Sequence, residues 1–162
     1  MCESVPYEIR FAKHDEWEDA IALAWKTFLE FEAEDYAPEG VRSFQDFITD
    51  TTLHRMFVMG AYQMIVAIED HKMVGMITLR DRKHISLLFV DKAYHHRGIG
   101  RALILYLCRY LTKEAGEKEV TVNAAPYGIG FYHRIGFMDL GPELHRDGIK
   151  YTPMKRMLAM DN

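Results

Sequence analysis

Ile85-Ser-Leu-Leu-Phe-Val-Asp-Lys-Ala-Tyr-His-His-Arg-Gly-Ile-Gly-Arg-Ala-Leu103 changes character twice. Its first six residues are apolar apart from one serine and read as a strand ending near Val90. Asp91 to Gly100 is polar, cationic and glycine-bearing, and reads as a loop. A helix follows at once. Over Arg101 to Thr112, Leu103, Leu107, Tyr110 and Leu111 share one face, widened by Ile104 and Cys108. The first N–H groups of such a helix have no partner within it and sit at the positive end of its dipole. Gly98 and Gly100 let a pyrophosphate approach that backbone, and His95, His96, Arg97 and Arg101 add donors and charge. Two glycines alone would equally suit a tight turn. The strand before them and the cations around them weigh against that plainer reading. A dinucleotide fingerprint needs a third glycine where Leu103 stands. A Walker loop needs Gly-Lys-Ser/Thr at its end, which is absent.

Upstream, Tyr7 to Phe11 alternates as a short strand. Asp15 and Glu18 have the spacing of a capping box. Trp17, Ala20, Ile21, Ala24, Trp25 and Phe28 then follow at helical spacing, predicting a helix that ends near Phe31. An acidic, aromatic connection leads to Pro38, after which Val41, Phe44, Phe47 and Ile48 mark a second helix. Met64–Glu69 and Met73–Arg80 are β-rich runs joined by Asp70-His71-Lys72, and His84–Val90 follows after Asp81-Arg82-Lys83. Three antiparallel strands result. Downstream, Gly116 caps the helix, Glu119–Asn123 is a strand, Pro126–Arg134 a short helix and Phe137–Leu140 a strand. Ile149–Leu158 reads as the last strand. The expected architecture is one α+β domain over residues 1–162 with a mixed, mostly antiparallel sheet of six to seven strands, flanked by about four helices.

The chain has 162 residues, 49% apolar and 27% charged, which suits a globular fold with its own core. The net charge of -4 and the lack of any basic run argue against nucleic acid as a partner. No apolar run reaches 18 residues, so no membrane span is expected, and no signal peptide is visible. Cys2 and Cys108 form no metal-ligand spacing, and a disulfide between them has no support. Cys108, within an apolar helix face, reads as a core thiol rather than a nucleophile. A cytoplasmic location is the expectation.

His95-His96-Arg97-Gly98-Ile99-Gly100 resembles the acetyl-CoA loop of the GCN5-related N-acetyltransferase (GNAT) family, Gln/Arg-x-x-Gly-x-Gly/Ala. His95 departs from the usual Gln or Arg. Asn123-Ala-Ala-Pro-Tyr-Gly-Ile-Gly-Phe-Tyr-His-Arg-Ile-Gly-Phe137 is similar to the family's Asn-x-x-Ala-x-x-Phe-Tyr-x-x-x-Gly-Phe segment, with Gly128 where Ala is common. The resemblance covers nearly the whole chain in family order. It implies a three-layer α/β/α sandwich, acetyl-CoA as cosubstrate, no metal, and direct transfer of acetyl to a primary amine in a ternary complex. It further implies that Phe89 and Val90 offer backbone groups to the pantetheine arm, that Ile99, Asn123 and Phe131 join the CoA site, and that Tyr132 lies near the CoA sulfur. Without the resemblance, Tyr132 reads first as an aromatic core residue on a short helix.

Aminolysis of a thioester requires a neutral amine, yet a lysine-like amine with a pKa near ~10.4 is mostly protonated at neutral pH. A base must take that proton, and the departing thiolate gains from a donor. Tyr132 is the expected donor. His84 is the candidate base, because an imidazole near ~6.5 accepts a proton at neutral pH. The resemblance aligns it with a glutamate base of histone-acetylating relatives. An ordinary exposed histidine, with water as the proton acceptor, is the alternative.

By the same resemblance, the connection after the first helix walls the acceptor site. Phe31, Glu32, Glu34, Asp35 and Tyr36 stand there and suit a small cationic amine, polyamine-like or lysine-like. A solvated acidic loop is the plainer reading, and a peptide or protein amine stays open as acceptor. A non-catalytic acyl-CoA-binding regulatory module is the alternative function, although it would need neither His84 nor Tyr132. A metal site of His84, His95 and His96 is rejected, since adjacent histidines point apart on an extended chain. Met154, Met157 and Met160 suit a core edge or a subunit contact, and family habit suggests a homodimer.

Overall fold

The computed structural model describes residues 7–158. Cys2 and Met160 lie outside the described residues. The strands are β1 (Glu8–Phe11), β2 (Gln63–Glu69), β3 (Lys72–Arg80), β4 (His84–Val90), β5 (Glu119–Ala124), β6 (Met138–Asp139), β7 (Leu144–Arg146) and β8 (Ile149–Met157). The helices are α1 (Trp17–Phe31), α2 (Pro38–Ile48), α3 (Thr51–Val58), α4 (Ile99–Lys113) and α5 (Ile129–Arg134). One sheet runs β1-β2-β3-β4-β5-β8-β6, with β7 paired to β8. Among the described residues every pairing is antiparallel except β4 with β5.

Two apolar faces make three layers. Trp17, Ala20, Leu23, Ala24 and Phe28 of α1, with Ile48, Leu53 and Phe57 of α2 and α3, pack on Met64, Val66, Met76, Leu87 and Phe89. Ile99, Leu103, Ile104, Leu107 and Leu111 of α4 pack with Tyr132 on the opposite face, against Ile65, Val74, Ile77, Leu79 and Val122. Gly75 on β3 permits the close approach of α4, because a Cβ there would crowd Leu103 and Ile99 at 3.1 and 3.2 Å. The mixed sheet between helical layers is the expected fold class. No helix among the described residues is long and apolar enough to cross a membrane.

Three local expectations change. The capping carboxylate is that of Glu16, which accepts from the Lys13 N–H at 2.8 Å within a 3-10 turn ahead of α1, not the Asp15 and Glu18 pair. Helix α3 is an addition, started by the Asp50 carboxylate accepting from the Thr52 N–H at 2.7 Å. Strand β7 is the other addition. It folds back on β8 through Asp147-Gly148, both at positive φ. Cys108 is buried and free, and the Arg156 guanidinium donates to its sulfur at 3.2 Å. Met154, on β8 between β5 and β6, is fully buried, whereas Met157 is exposed.

Two features of β4 prepare a cleft. Ile85 pairs with Leu79 and Leu87 with Thr78, so Ser86 is an extra residue. This bulge puts Ile85 in the α4 face but Leu87 and Phe89 in the α1 face. The Tyr62 hydroxyl holds the bulge, lying 2.8 Å from Thr78 Oγ1 and donating to Ser86 Oγ at 2.9 Å. Beside it, β4 and β5 pair only at His84↔Thr121 and Ile85↔Val122. The two strands then part, and backbone that a continuous sheet would pair is left facing the gap.

Candidate active site

A cleft of about 840 Å³ opens where β4 and β5 diverge, a volume suited to a cofactor-sized ligand. Residues of β4, β5, α1, α2, the loop before α4 and α5 line it. A smaller hollow of about 500 Å³ by Glu8, Arg10, Lys13 and Glu16 is charged and shares no lining residue with this cleft.

The loop before α4 carries the phosphate geometry. Asp91 is buried and anchors it, accepting from the Ala93 N–H at 2.9 Å and pairing with Lys26 at 3.2 Å. His95 Nε2 donates to the Val90 carbonyl at 2.7 Å, which fixes the protonated nitrogen. Gly98 has φ +81, a left-handed conformation natural to glycine. The first helical bond runs from the Ala102 N–H to the Gly98 carbonyl at 2.9 Å. The N–H groups of Ile99, Gly100 and Arg101 therefore have no acceptor within α4. Gly100 has a different reason to be small: a Cβ would meet the Phe131 ring at 3.3 Å.

Of the expected CoA residues, Phe89, Val90, His95, His96, Gly98, Ile99, Gly100, Arg101, Asn123, Phe131 and Tyr132 all line the cleft. Arg97 does not. Its guanidinium pairs with Glu69 at 2.8 Å and stands over the Tyr94 ring at 5.2 Å, tying the loop to the end of β2. Arg134 of α5 lines the cleft without having been singled out in the sequence, since its motif position carried no signal.

Tyr132 is buried on α5, with its ring edge-to-face on Phe131 and Phe137 at 5.3 and 5.1 Å. Burial, with the Glu32 charge adding, pushes its phenol far above the ordinary range, so it stays protonated. His84 Nδ1 lies 2.8 Å from Thr121 Oγ1, across the first of the two paired rungs of β4 and β5. Burial and the Arg80 charge pull its imidazole below the ordinary value, with Asp81 opposing, so at neutral pH it is an uncharged base. Both side chains line the cleft.

Of the expected acceptor residues, Phe31, Glu32 and Tyr36 line the cleft, whereas Glu34 is exposed outside it. Phe31 stacks on His95 at 4.7 Å and contacts Tyr127 at 5.1 Å, bridging the α1 side to the segment before α5. Thr27, Ser43, Phe44, Phe47 and Arg80 also line the cleft. Phe44 and Phe47 were legible only as a helix face, because periodicity cannot tell a core stripe from a pocket wall. Burial, then the Asp35 charge, pushes the Glu32 carboxyl up to about 7. Burial likewise raises the Tyr36 phenol, with Glu32 and Asp35 adding.

A family model described as an acetyltransferase (GNAT) domain matches residues 32–158. Among solved structures, the chain is similar to a GCN5-related N-acetyltransferase from Rhodopseudomonas palustris, with TM-score 0.80, 22% identity, and 98% of this chain and 99% of that one covered. It is similar to the PaiA N-acetyltransferase of Thermoplasma acidophilum, solved in complex with coenzyme A, with TM-score 0.78, 21% identity, and 94% and 99% covered. It is also similar to a spermidine N-acetyltransferase chimera from Vibrio cholerae and hSSAT, with TM-score 0.67, 14% identity, and 95% and 96% covered. No curated protein matches the chain in sequence.

Proposed function

Because the chain belongs to the GNAT acetyltransferase family, we propose that it moves the acetyl group of acetyl-CoA to the primary amine of a small cationic acceptor, by direct attack with both substrates bound. The observation that carries this reading is the junction of two features in one cleft. A helix N-terminus with free N–H groups stands at one end, and a buried, protonated phenol stands among the aromatic residues between α1 and α5.

The residues fit the cosubstrate. Gly98, Gly100 and the N–H groups opening α4 hold the pyrophosphate, with Arg101 adding charge and the His95 and His96 rings bordering it. The parted edge of β4 near Phe89 and Val90 offers backbone to the pantetheine arm, and Asn123 borders it from β5. Acetyl-CoA supplies an electrophilic thioester carbonyl and a thiolate leaving group. His84 takes the proton of the acceptor nitrogen. Thr121 fixes its ring, and the depressed basicity keeps it unprotonated at neutral pH. Tyr132 holds a proton at its phenol oxygen for the departing sulfur. Holding both reactants in one cleft supplies much of the acceleration.

Calorimetric titration with acetyl-CoA, with ATP and NAD as controls, tests the reading. Selective binding of acetyl-CoA is expected, and its absence up to millimolar concentration ends the reading. Tyr132→Phe and His84→Ala should each lower kcat by ~100-fold, the low end for a general acid or base, while leaving acetyl-CoA affinity within about threefold. Unchanged turnover in both variants would remove the roles assigned to them.

A further inference from the structure

The acidic segment after α1 brings one carboxylate to the cleft, that of Glu32. Four other carboxylates of low exposure have cationic partners: Glu16 with Arg10, Glu69 with Arg97, Asp91 with Lys26, and Glu117 with Arg82. Glu32 has no ion pair or side-chain hydrogen bond among the described residues. Withdrawing an unpaired carboxylate from water costs several kcal/mol, so its partner is to be sought in what the cleft binds. Thr27 is a second orphan. It is 4% exposed and lines the same cleft, yet its Oγ1 has no hydrogen-bond partner among the described residues. A helical threonine can bond back one turn, as Thr112 Oγ1 does to the Cys108 carbonyl at 2.9 Å, and Thr27 does not.

The surroundings of these two groups are aromatic. Phe31, Tyr36, Phe44 and Phe47 line the cleft on this side. Phe44 is stacked on Phe28 at 4.1 Å and edge-to-face with Phe89 at 5.9 Å, so the wall is rigid and continuous with the core. The other charged side chains lining the cleft are Arg80, Arg101 and Arg134, all cationic apart from the titratable histidines.

Building on the acetyl-transfer reading above, we propose that the α1 side of the cleft takes a primary amine carrying one positive charge on an aromatic or apolar body, with Glu32 as counter-ion of the ammonium and Thr27 as its hydrogen-bond acceptor. A polyamine is disfavoured by the same inventory. Its second ammonium finds no second carboxylate among the described residues that line the cleft, where the remaining permanent charges are arginines. The aromatic wall, conversely, gains from an apolar body by area and by ring contact.

Phenethylamine and spermidine, each titrated calorimetrically into wild type, Glu32→Gln and Thr27→Val with CoA present and absent, test the proposal, alongside thiol release from acetyl-CoA. Wild type is expected to bind phenethylamine at least ~10-fold more tightly than spermidine, and Glu32→Gln to lose ~10-fold or more of that affinity, as for a charge-assisted contact. Thr27→Val, which keeps the shape, should lose about threefold. Thermal melting shows that each variant is folded. A preference for spermidine, phenethylamine affinity unchanged in Glu32→Gln, or no binding of either amine at millimolar concentration overturns the proposal. Glu32-dependent phenethylamine binding without acetyl-CoA binding would uphold the pocket and remove the acetyl-transfer reading. Acetyl-CoA binding with spermidine preferred would do the reverse.

Discussion

Glu32 carries its proton more tightly in the folded chain than an exposed glutamate does. Its carboxyl rises from the ordinary 4.5 to about 7, through burial first and the Asp35 charge second. A raised folded pKa favours the folded state below 4.5 and withdraws that advantage as pH climbs through about 7. At pH 8 the folded state therefore bears the charged, unpaired carboxylate in full. Glu32→Gln removes the charge and keeps the shape. It should raise stability by on the order of 2–3 kcal/mol at pH 8, and the gain should fall below about 1 kcal/mol at pH 5. Thermal melts of both proteins at the two pH values check this. A gain independent of pH would mean that the carboxylate is not the source. This is also the cost that a bound ammonium would relieve, so stability and affinity meet at one residue. Nothing in the residue types around position 32 disclosed it. Glu32, Glu34 and Asp35 look alike in sequence, and only the fold separates one that lines the cleft from one that faces solvent.

The elements differ in how plainly their residues announce them. The long helix α4 follows from periodicity, because it buries a whole face over enough turns to be read, and β2 and β3 follow from β-rich runs that are buried on both faces. Helix α3 buries only Leu53 and Phe57, too little pattern to stand out, although Asp50 was an available cap. Strand β7 is three exposed residues, yet Asp147-Gly148 is a strong hairpin signal that was there to be read. The loop opening α4 was legible in its residue types, but its two glycines prove unlike. Gly98 is required for its backbone angle and has open space around it, whereas Gly100 is required for packing against Phe131. Gly98→Ala should then cost about 1–2 kcal/mol of stability, the strain of a left-handed alanine, and place a methyl group where phosphate is proposed to sit. Acetyl-CoA affinity should drop by ~10-fold or more, since 1.4 kcal/mol suffices for that. Gly100→Ala should disturb Phe131 and its neighbour Tyr132, so that kcat suffers as well as affinity. Kinetics of the two variants side by side separate the roles; identical profiles would mean that the glycines act as one phosphate-binding unit.

Across the whole molecule, the cleft exists because the sheet fails to close. The parallel pairing of β4 with β5 holds for two rungs, and its parting exposes both strands to whatever enters between them. Sequence could place β4 and β5 but not their divergence, which arises from the Ser86 bulge and from a register shared at only one end. Both helical layers border the gap, α1 and α2 from one side and α4 and α5 from the other. A ligand filling it would contact every layer at once, and its binding energy would add to the stability of the molecule rather than of one loop. At a hundredfold excess over Kd, mass action supplies ~2.7 kcal/mol. For a chain of this length each kcal/mol raises Tm by roughly 2–4 °C, so acetyl-CoA should shift the melt by roughly 5–10 °C. The unfolding should remain a single transition if the layers stay coupled. ATP and NAD, which share phosphates with acetyl-CoA but lack the pantetheine arm, should shift it far less. Equal shifts from all three would mean that the α4 N-terminus binds phosphate without the parted strands taking part. The β4–β5 gap would then lose its role in cosubstrate recognition.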